Sequence, residues 1–353
     1  MSKPRKLRSR KAGLPPGSLV HIGEIKTQPA FSVIDFDESG IAERQLPNSS
    51  AFETQPHQLR TRWANVYGAH TPADLAAIGR IFELHPLVQE DILNNAQRQK
   101  VDAYDDYLYL VLHRYEFSTA PIELSHEQIS LVIGRDYVLS LQERPSQTFE
   151  PVRQRLRAER SNLRKGGADM LAYSLIDAVV DNYFALIEEL NDYAESLESD
   201  ILGQPGPATL EGIHQFKRCV SQLRRNLHPL REILGSLHRD NGDFFRPEIQ
   251  LYLRDVHDHT VHILESLEDL REFATGLLDV YLSTVSHRVN LEVRTLTVVT
   301  TVFMPATLIA GIFGMNFHEM PWLQSPAGFL YALALMLIIA AIMLLLFWHR
   351  RKT

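Results

Sequence analysis

Hydrophobic positions along the chain fall into three regimes. Residues 1–18 are polar and basic and end in the breaker Leu14-Pro15-Pro16-Gly17. Across residues 19–145 the apolar runs are short, β-branched and aromatic: His21–Ile25, Phe31–Phe36, Tyr107–His113 and Gln128–Leu141. Such runs predict strands, with Arg135-Asp136 at a hairpin tip. Helical spacing interrupts them at Thr71–Phe82, which opens with Thr-Pro, and at Pro86–Asn94. This part reads as an α+β domain built on a sheet.

From Glu150 the period becomes helical and stays so. Pro151–Lys165 predicts a charged amphipathic helix. Ala168–Leu202 predicts a long one, ended by Gly203-Gln-Pro-Gly-Pro207, and Thr209–Arg239 its antiparallel partner, closed by Asn241-Gly242. Pro247 opens a stretch with no proline before Pro305. Continued to its apolar end it would be one helix of about 65 residues, or ~100 Å. Its apolar positions Ile249, Leu253, Val256, Thr260, Ile263, Leu267 and Leu270 recur at threes and fours, as in a packed bundle. One helix cannot bury that stripe alone, and copies of itself are the expected partners.

Charge then vanishes. Between Arg294 and Arg350 the only charged residue is Glu319, leaving uncharged runs of 23 residues (Thr295–Phe317) and 29 residues (Met320–Trp348). Each exceeds the ~20 residues a helix needs to span a bilayer. A purely soluble protein is excluded. Arg288 and Arg294 flank the first run, His349-Arg350-Arg351-Lys352 follows the second, and the link between them has no Lys or Arg. The positive-inside rule puts both termini in the cytosol and the short loop outside, in a cell inner membrane. The start is basic without an apolar core, so residues up to His287 are expected to stay cytosolic. The expected organisation is a basic tail (1–18), an α/β domain (19–150), helical arms (151–245), a stalk helix entering the first span (246–317), an external loop (318–326), a second span (327–348) and a basic end (349–353).

Residues 12–287 hold 25 basic and 41 acidic side chains. So acidic a body argues against nucleic acid and suits a cationic partner, with a solvated acidic surface an equal reading on charge alone. The single cysteine, Cys219, excludes a disulfide framework and a thiolate zinc site. There is no phosphate-binding loop, nucleophile elbow or His-Glu-x-x-His, so no enzyme and no organic cofactor are expected.

The first apolar run ends in Gly314-Met315-Asn316, followed by Phe317-His318-Glu319. Asn316 there would also suit a helix C-cap. With the two spans C-terminal, the triplet resembles the signature of the CorA family of divalent-cation channels. Further blocks look like the family's in the family's order: Pro15-Pro16-Gly17, His85-Pro86-Leu87-Val88 with Glu90-Asp91-Ile92-Leu93, Tyr173-Ser174-Leu175-Ile176-Asp177, Arg254-Asp255-Val256 with Asp258-His259-Thr260, Gly276–Leu282, and Phe303-Met304-Pro305.

The resemblance implies a funnel-shaped homopentamer that passes Mg²⁺, and Co²⁺, down its gradient through the bilayer. It implies a selectivity filter at Gly314, Met315 and Asn316, whose amides would meet the hydrated ion without trapping it. It implies pore-facing Asn290, Leu296, Met304 and Thr307. It also pairs Asp91 of one subunit with Asp255 of its neighbour around a regulatory Mg²⁺, with Glu90, Asp177 and His259 nearby. On the residues alone, Glu90, Asp91, Asp255 and Asp258 read more simply as ordinary surface charge, or as salt-bridge partners of Arg254 or Arg288. Glu319 would draw cations to the mouth, and Trp322 stands where many family members carry a further acid. Rival readings are Co²⁺ or Ni²⁺ uptake, proton-linked Zn²⁺ transport as in the ZntB branch, whose motif differs here, and a membrane-anchored cation sensor that passes nothing. His318, beside the filter, bears on the transition-metal reading.

Overall fold

Among the described residues, seven strands pair into one mixed sheet because the apolar runs of residues 30–142 are long enough to bury both faces. The structure is a computed structural model. It describes residues 15, 17–20, 27–68, 71–95, 97–159, 161–203, 205–240, 244–315, 322 and 325–350. The expected strand His21–Ile25, most of the basic tail, and Asn316 to Pro321 lie outside the described residues.

The strands are β1 (Ala30–Asp37), β2 (Gly40–Leu46), β3 (Thr61–Tyr67), β4 (Lys100–Ala103), β5 (Leu108–Thr119), β6 (Ile122–Ile133) and β7 (Tyr137–Gln142). Their order is β2-β1-β3-β7-β6-β5-β4. Only β3 and β7 run parallel; every other pair is antiparallel. The hairpin over Arg135-Asp136 forms as expected. A second one, β5–β6, turns at Ala120-Pro121, its strands running on past the expected Tyr107–His113 and Gln128–Leu141 to Thr119 and back to Ile122.

One sheet face carries Phe31, Val33, Val66, Tyr109, Val111 and Val132. Against it pack α1 (Ala51–Thr54), α2 (Pro72–Ile81) and α3 (Pro86–Ile92) through Phe52, Leu75, Ile78 and Val88. Thr71 caps α2, its hydroxyl accepting from the Asp74 amide, and His85 caps α3 through Nδ1. On the other face Trp63 is fully buried against Phe149, with Arg153 of α4 (Glu150–Arg157) 5.0 Å over its indole. The amphipathic helix expected to reach Lys165 stops at Arg157, where Ala158 turns extended.

Three long helices follow: α5 (Asn162–Gly203), α6 (Pro207–Asp240) and α7 (Pro247–Phe313). Gly167 breaks α5 with φ +78°, a conformation a side chain would strain. There Arg246, just before α7, grips Asp169 with Nε and Nη2 at 2.8 Å each. The apolar stripe of α7 is buried within the single chain: Leu253, Val256, Thr260, Ile263 and Leu267 are wholly inaccessible. Tyr173 of α5 lies against Tyr252, and Arg224 of α6 pairs with Glu268 at 2.7 Å. The expectation that copies of the chain cover this stripe is therefore corrected. α5 and α6, themselves amphipathic, fold back and cover it first.

The chain divides into two compact units. One holds the sheet, the arms and α7 to Leu277; the other holds Ile201–Gly206 and everything from Leu278 on. In the second, α7 continues to Phe313 and α8 runs Gly328–Arg350. Among the described residues, three helices are long and apolar enough to cross a membrane by length and composition: α5, α7 and α8. The apolar window of α5 is mostly buried in its own unit, whereas those of α7 and α8 are almost entirely open. This leaves α7 and α8 as the spans.

Candidate cation sites

Packing α5 on α7 brings acids from two helices to one imidazole. Asp177 and Asp181 are one turn apart on α5; Asp255 and His259 are one turn apart on α7. A ligand atom from each of Asp177, Asp181 and His259 lies within 4.8 Å of the others. His259 Nε2 is also 3.8 Å from Asp255 Oδ2. The ring is set edge-on to Phe184 at 5.6 Å, and its Nδ1 is sealed from solvent without a hydrogen-bond partner. Burial raises the Asp177 carboxyl above its usual range, and the Asp181 charge adds to this; Arg155, His259 and a hydrogen bond from Tyr173 oppose it. A cation among these groups would remove the repulsion between the two carboxylates. Two oxygens with room for water suit Mg²⁺, and the imidazole makes the set acceptable to Co²⁺ or Ni²⁺ as well.

Asp177, Asp255 and His259 were legible as candidates. Asp181 was not, although its spacing of four from Asp177 was there to be read; only the register of α5 on α7 gives it meaning.

Glu90 and Asp91 sit at the end of α3. Glu90 Oε2 accepts the Gly17 amide at 2.6 Å. Gly17 itself has φ +83°, and a Cβ there would press on Pro86 at 3.1 Å. Asp91 pairs with Lys100 Nζ at 2.7 Å, not with Arg254 or Arg288. Arg288 donates to the Gly203 carbonyl instead.

In the second unit Asn290, Leu296, Met304 and Thr307 are all exposed. At about 100° per residue they fall within about 120° of the helix circumference. The hydroxyls of Thr295, Thr297, Thr300, Thr301 and Thr307 each donate to the carbonyl four residues back, at 2.7–3.0 Å. Their protons are committed, so only oxygen lone pairs face outward. Gly314 closes α7 by donating to the Ala310 carbonyl, and a Cβ at 314 would come within 3.1 Å of that oxygen. Asn316, His318 and Glu319 lie outside the described residues. Trp322, with φ +70°, stacks on Phe313 at 6.3 Å and leans on Tyr331. Where an acid was looked for, an aromatic joins the end of α7 to the start of α8.

The two exposed apolar helices of one unit mark a membrane protein, and the clustered acids of the other suit a cation. The family of CorA-like Mg²⁺ transporter proteins matches residues 59–351. The chain belongs to that family of membrane ion transporters. It is 41% identical to the cobalt/magnesium transport protein CorA of Thermotoga maritima, over 97% of this chain and 98% of that one. It is 26% identical to the magnesium transport protein CorA of Wolinella succinogenes, over 80% of this chain and 88% of that one. In fold it is similar to the complete structure of the CorA magnesium transporter of Methanocaldococcus jannaschii, with a TM-score of 0.72, 21% identity, and coverage of 94% and 99%.

Proposed function

We propose that this protein takes up Mg²⁺, and Co²⁺, passively across the cell inner membrane as a homopentamer with both termini in the cytosol. The observation that carries this is the near-full-length likeness to a cobalt/magnesium transport protein, in a chain that ends its first span with Gly314-Met315-Asn316. A divalent ion crossing an inside-negative potential gains ~4.6 kcal/mol per 100 mV, so no ATP is required.

In this reading the Asn316 amides hold the ion through its waters, Glu319 concentrates cations outside, and Thr307 and Asn290 accept hydrogen bonds from the hydration shell. Leu296 and Met304 form an apolar constriction that closes by dewetting. Cytosolic Mg²⁺ between Asp91 of one subunit and Asp255 of the next, with Glu90, Asp177 and His259 close by, holds the pentamer shut. When that Mg²⁺ falls, the facing carboxylates repel and the constriction loosens. The His259 imidazole in the acid cluster favours a second reading, in which Co²⁺ or Ni²⁺ is the better regulator or cargo.

Competitive uptake of Mg²⁺, Co²⁺ and Ni²⁺ into liposomes tests this. The full chain is expected to pass Mg²⁺ in preference, and Asn316→Ala to abolish that preference. Equal flux and selectivity in the variant would refute the filter; no flux from the wild type would leave a sensor that conducts nothing.

A further inference from the structure

Lys100 opens the edge strand β4 and reaches back toward α3. Its Nζ lies 2.7 Å from Asp91 Oδ2 and 2.5 Å from Asp102 Oδ2. The ammonium also sits 5.7 Å from the centre of the buried Tyr109 ring. These contacts fix the lysine in a half-buried position. Its two carboxylates face an open cleft of about 910 Å³, shared with Glu90, Pro15 and Tyr104.

The acids themselves are anchored. The Asp91 carbonyl accepts from Gln128 Nε2 at 3.0 Å and from the Asn94 amide at 3.1 Å, while Glu90 is tied to Gly17. α3 cannot easily turn Asp91 away from Lys100. A divalent ion arriving at Asp91 therefore meets a carboxylate already neutralised by a tethered cation, and the two positive charges cannot share it without repulsion. Asp102, two residues along the same face of β4, can keep the ammonium once Asp91 is taken.

We infer that Lys100 is a built-in competitor of the regulatory cation for Asp91, with Asp102 as the place to which its ammonium is displaced, so that this pair sets the Mg²⁺ concentration at which the protein closes. The inference rests on Asp91 being a ligand of that regulatory ion. Removing the competitor should tighten binding. Removing its alternative partner should weaken binding, because the ammonium then has Asp91 alone.

The test uses the full chain in detergent and reads the Mg²⁺ midpoint for protection against limited proteolysis. Lys100→Met is expected to lower the midpoint about twofold to fivefold, as a half-exposed ion pair of this kind would. Lys100→Arg should leave it near wild type, and Asp102→Asn should raise it about twofold. An unchanged or raised midpoint in Lys100→Met overturns the inference. Should that variant fail to fold, Asp102→Asn decides alone, and an unchanged or lowered midpoint there is equally fatal. Asp91→Asn separates the two ideas. If protection survives it at wild-type Mg²⁺, Asp91 is no sensor and both fall. If protection is lost but Lys100→Met does not shift the midpoint, only the competitor fails.

Discussion

The two parts of α7 share one helix and opposite surroundings. Up to Leu277 its apolar residues form a narrow stripe, and that stripe is closed off by α5 and α6 of the same chain. From Leu282 on, apolar side chains point outward in nearly every direction: Leu291, Leu296, Phe303, Met304 and Leu308 are 48–67% exposed. The first part also carries charge on its outer face, including Asp255, Asp258 and Glu265, whereas the second has none after Arg294 until the helix ends. A stripe with a charged back face is soluble in water once folded. A helix apolar all round is stable only where water is excluded, in lipid or against other helices. Period alone does not tell which partner covers an apolar face; the chemistry of the opposite face does.

The largest effect that would break this contrast comes from truncating the buried stripe. Leu253→Ala leaves a hole between α7 and its arms and is expected to cost about 3 kcal/mol. Leu296→Ala, on the open part, should cost under about 0.5 kcal/mol. Thermal unfolding of both variants in detergent, followed by circular dichroism, checks the difference. Equal losses would mean that the second part is as tightly packed in the assembled protein as the first.

Much of this is legible in the sequence. The helices are, because their period is long and their ends carry Pro and Gly. Thr71 and Pro72 announce α2, and Gly203 to Pro207 announce the bend between α5 and α6. β2 and β3 are not, because each carries polar residues that only pairing satisfies. Arg62 in β3 is spent on Asp35 of β1, and Asn65 accepts from Ser140 of β7. In an isolated sequence such residues look like loop. The site divides the same way. Asp177, Asp255 and His259 came from blocks of sequence, whereas Asp181 and Lys100 needed a neighbouring element to give them a partner.

Burial in the first unit extends to a titratable ring, and pH should expose it. Burial drives His113 down to about 4, with the nearby His126 ring, 4.9 Å away, adding to the fall. The Tyr115 hydroxyl, from the same strand, lies 3.1 Å from the ring's Nδ1, and Tyr183 from α5 donates its hydroxyl to the His113 backbone carbonyl. The folded-state value is below the ordinary 6.5. The unfolded chain therefore takes up a proton first as pH falls. Stability from this group is intact above pH 6.5, declines between 6.5 and 4, and levels off below 4. The full loss is about 3 kcal/mol. His113→Gln should flatten the melting temperature across that window; a slope that persists unchanged would assign the pH dependence elsewhere.

A smaller effect sharpens what the α5–α7 seam holds. Asp181→Asn removes the charge that helps to raise the Asp177 carboxyl. Without Mg²⁺ the variant should be more stable by about 0.5–1 kcal/mol, and added Mg²⁺ should raise its melting temperature less than it raises that of the wild type. If Mg²⁺ stabilises both equally, the cluster is a solvated acidic seam and the ion binds elsewhere.

The smallest effect belongs to the open part of α7. Thr307 already gives its proton to the Phe303 carbonyl, at 3.0 Å. Its remaining capacity is to accept, which is what a water in the shell of a cation can use, since such a water points its hydrogens away from the metal. Thr307→Val keeps the shape and the β-branch but removes the oxygen. The melting temperature should not move, because the helix satisfies its own backbone. Co²⁺ influx should fall by about threefold, the equivalent of one weak hydrogen bond, and Thr307→Ser should restore it. A fall in flux with an equal fall in stability would make Thr307 a packing residue of the helix and remove it from the path of the ion.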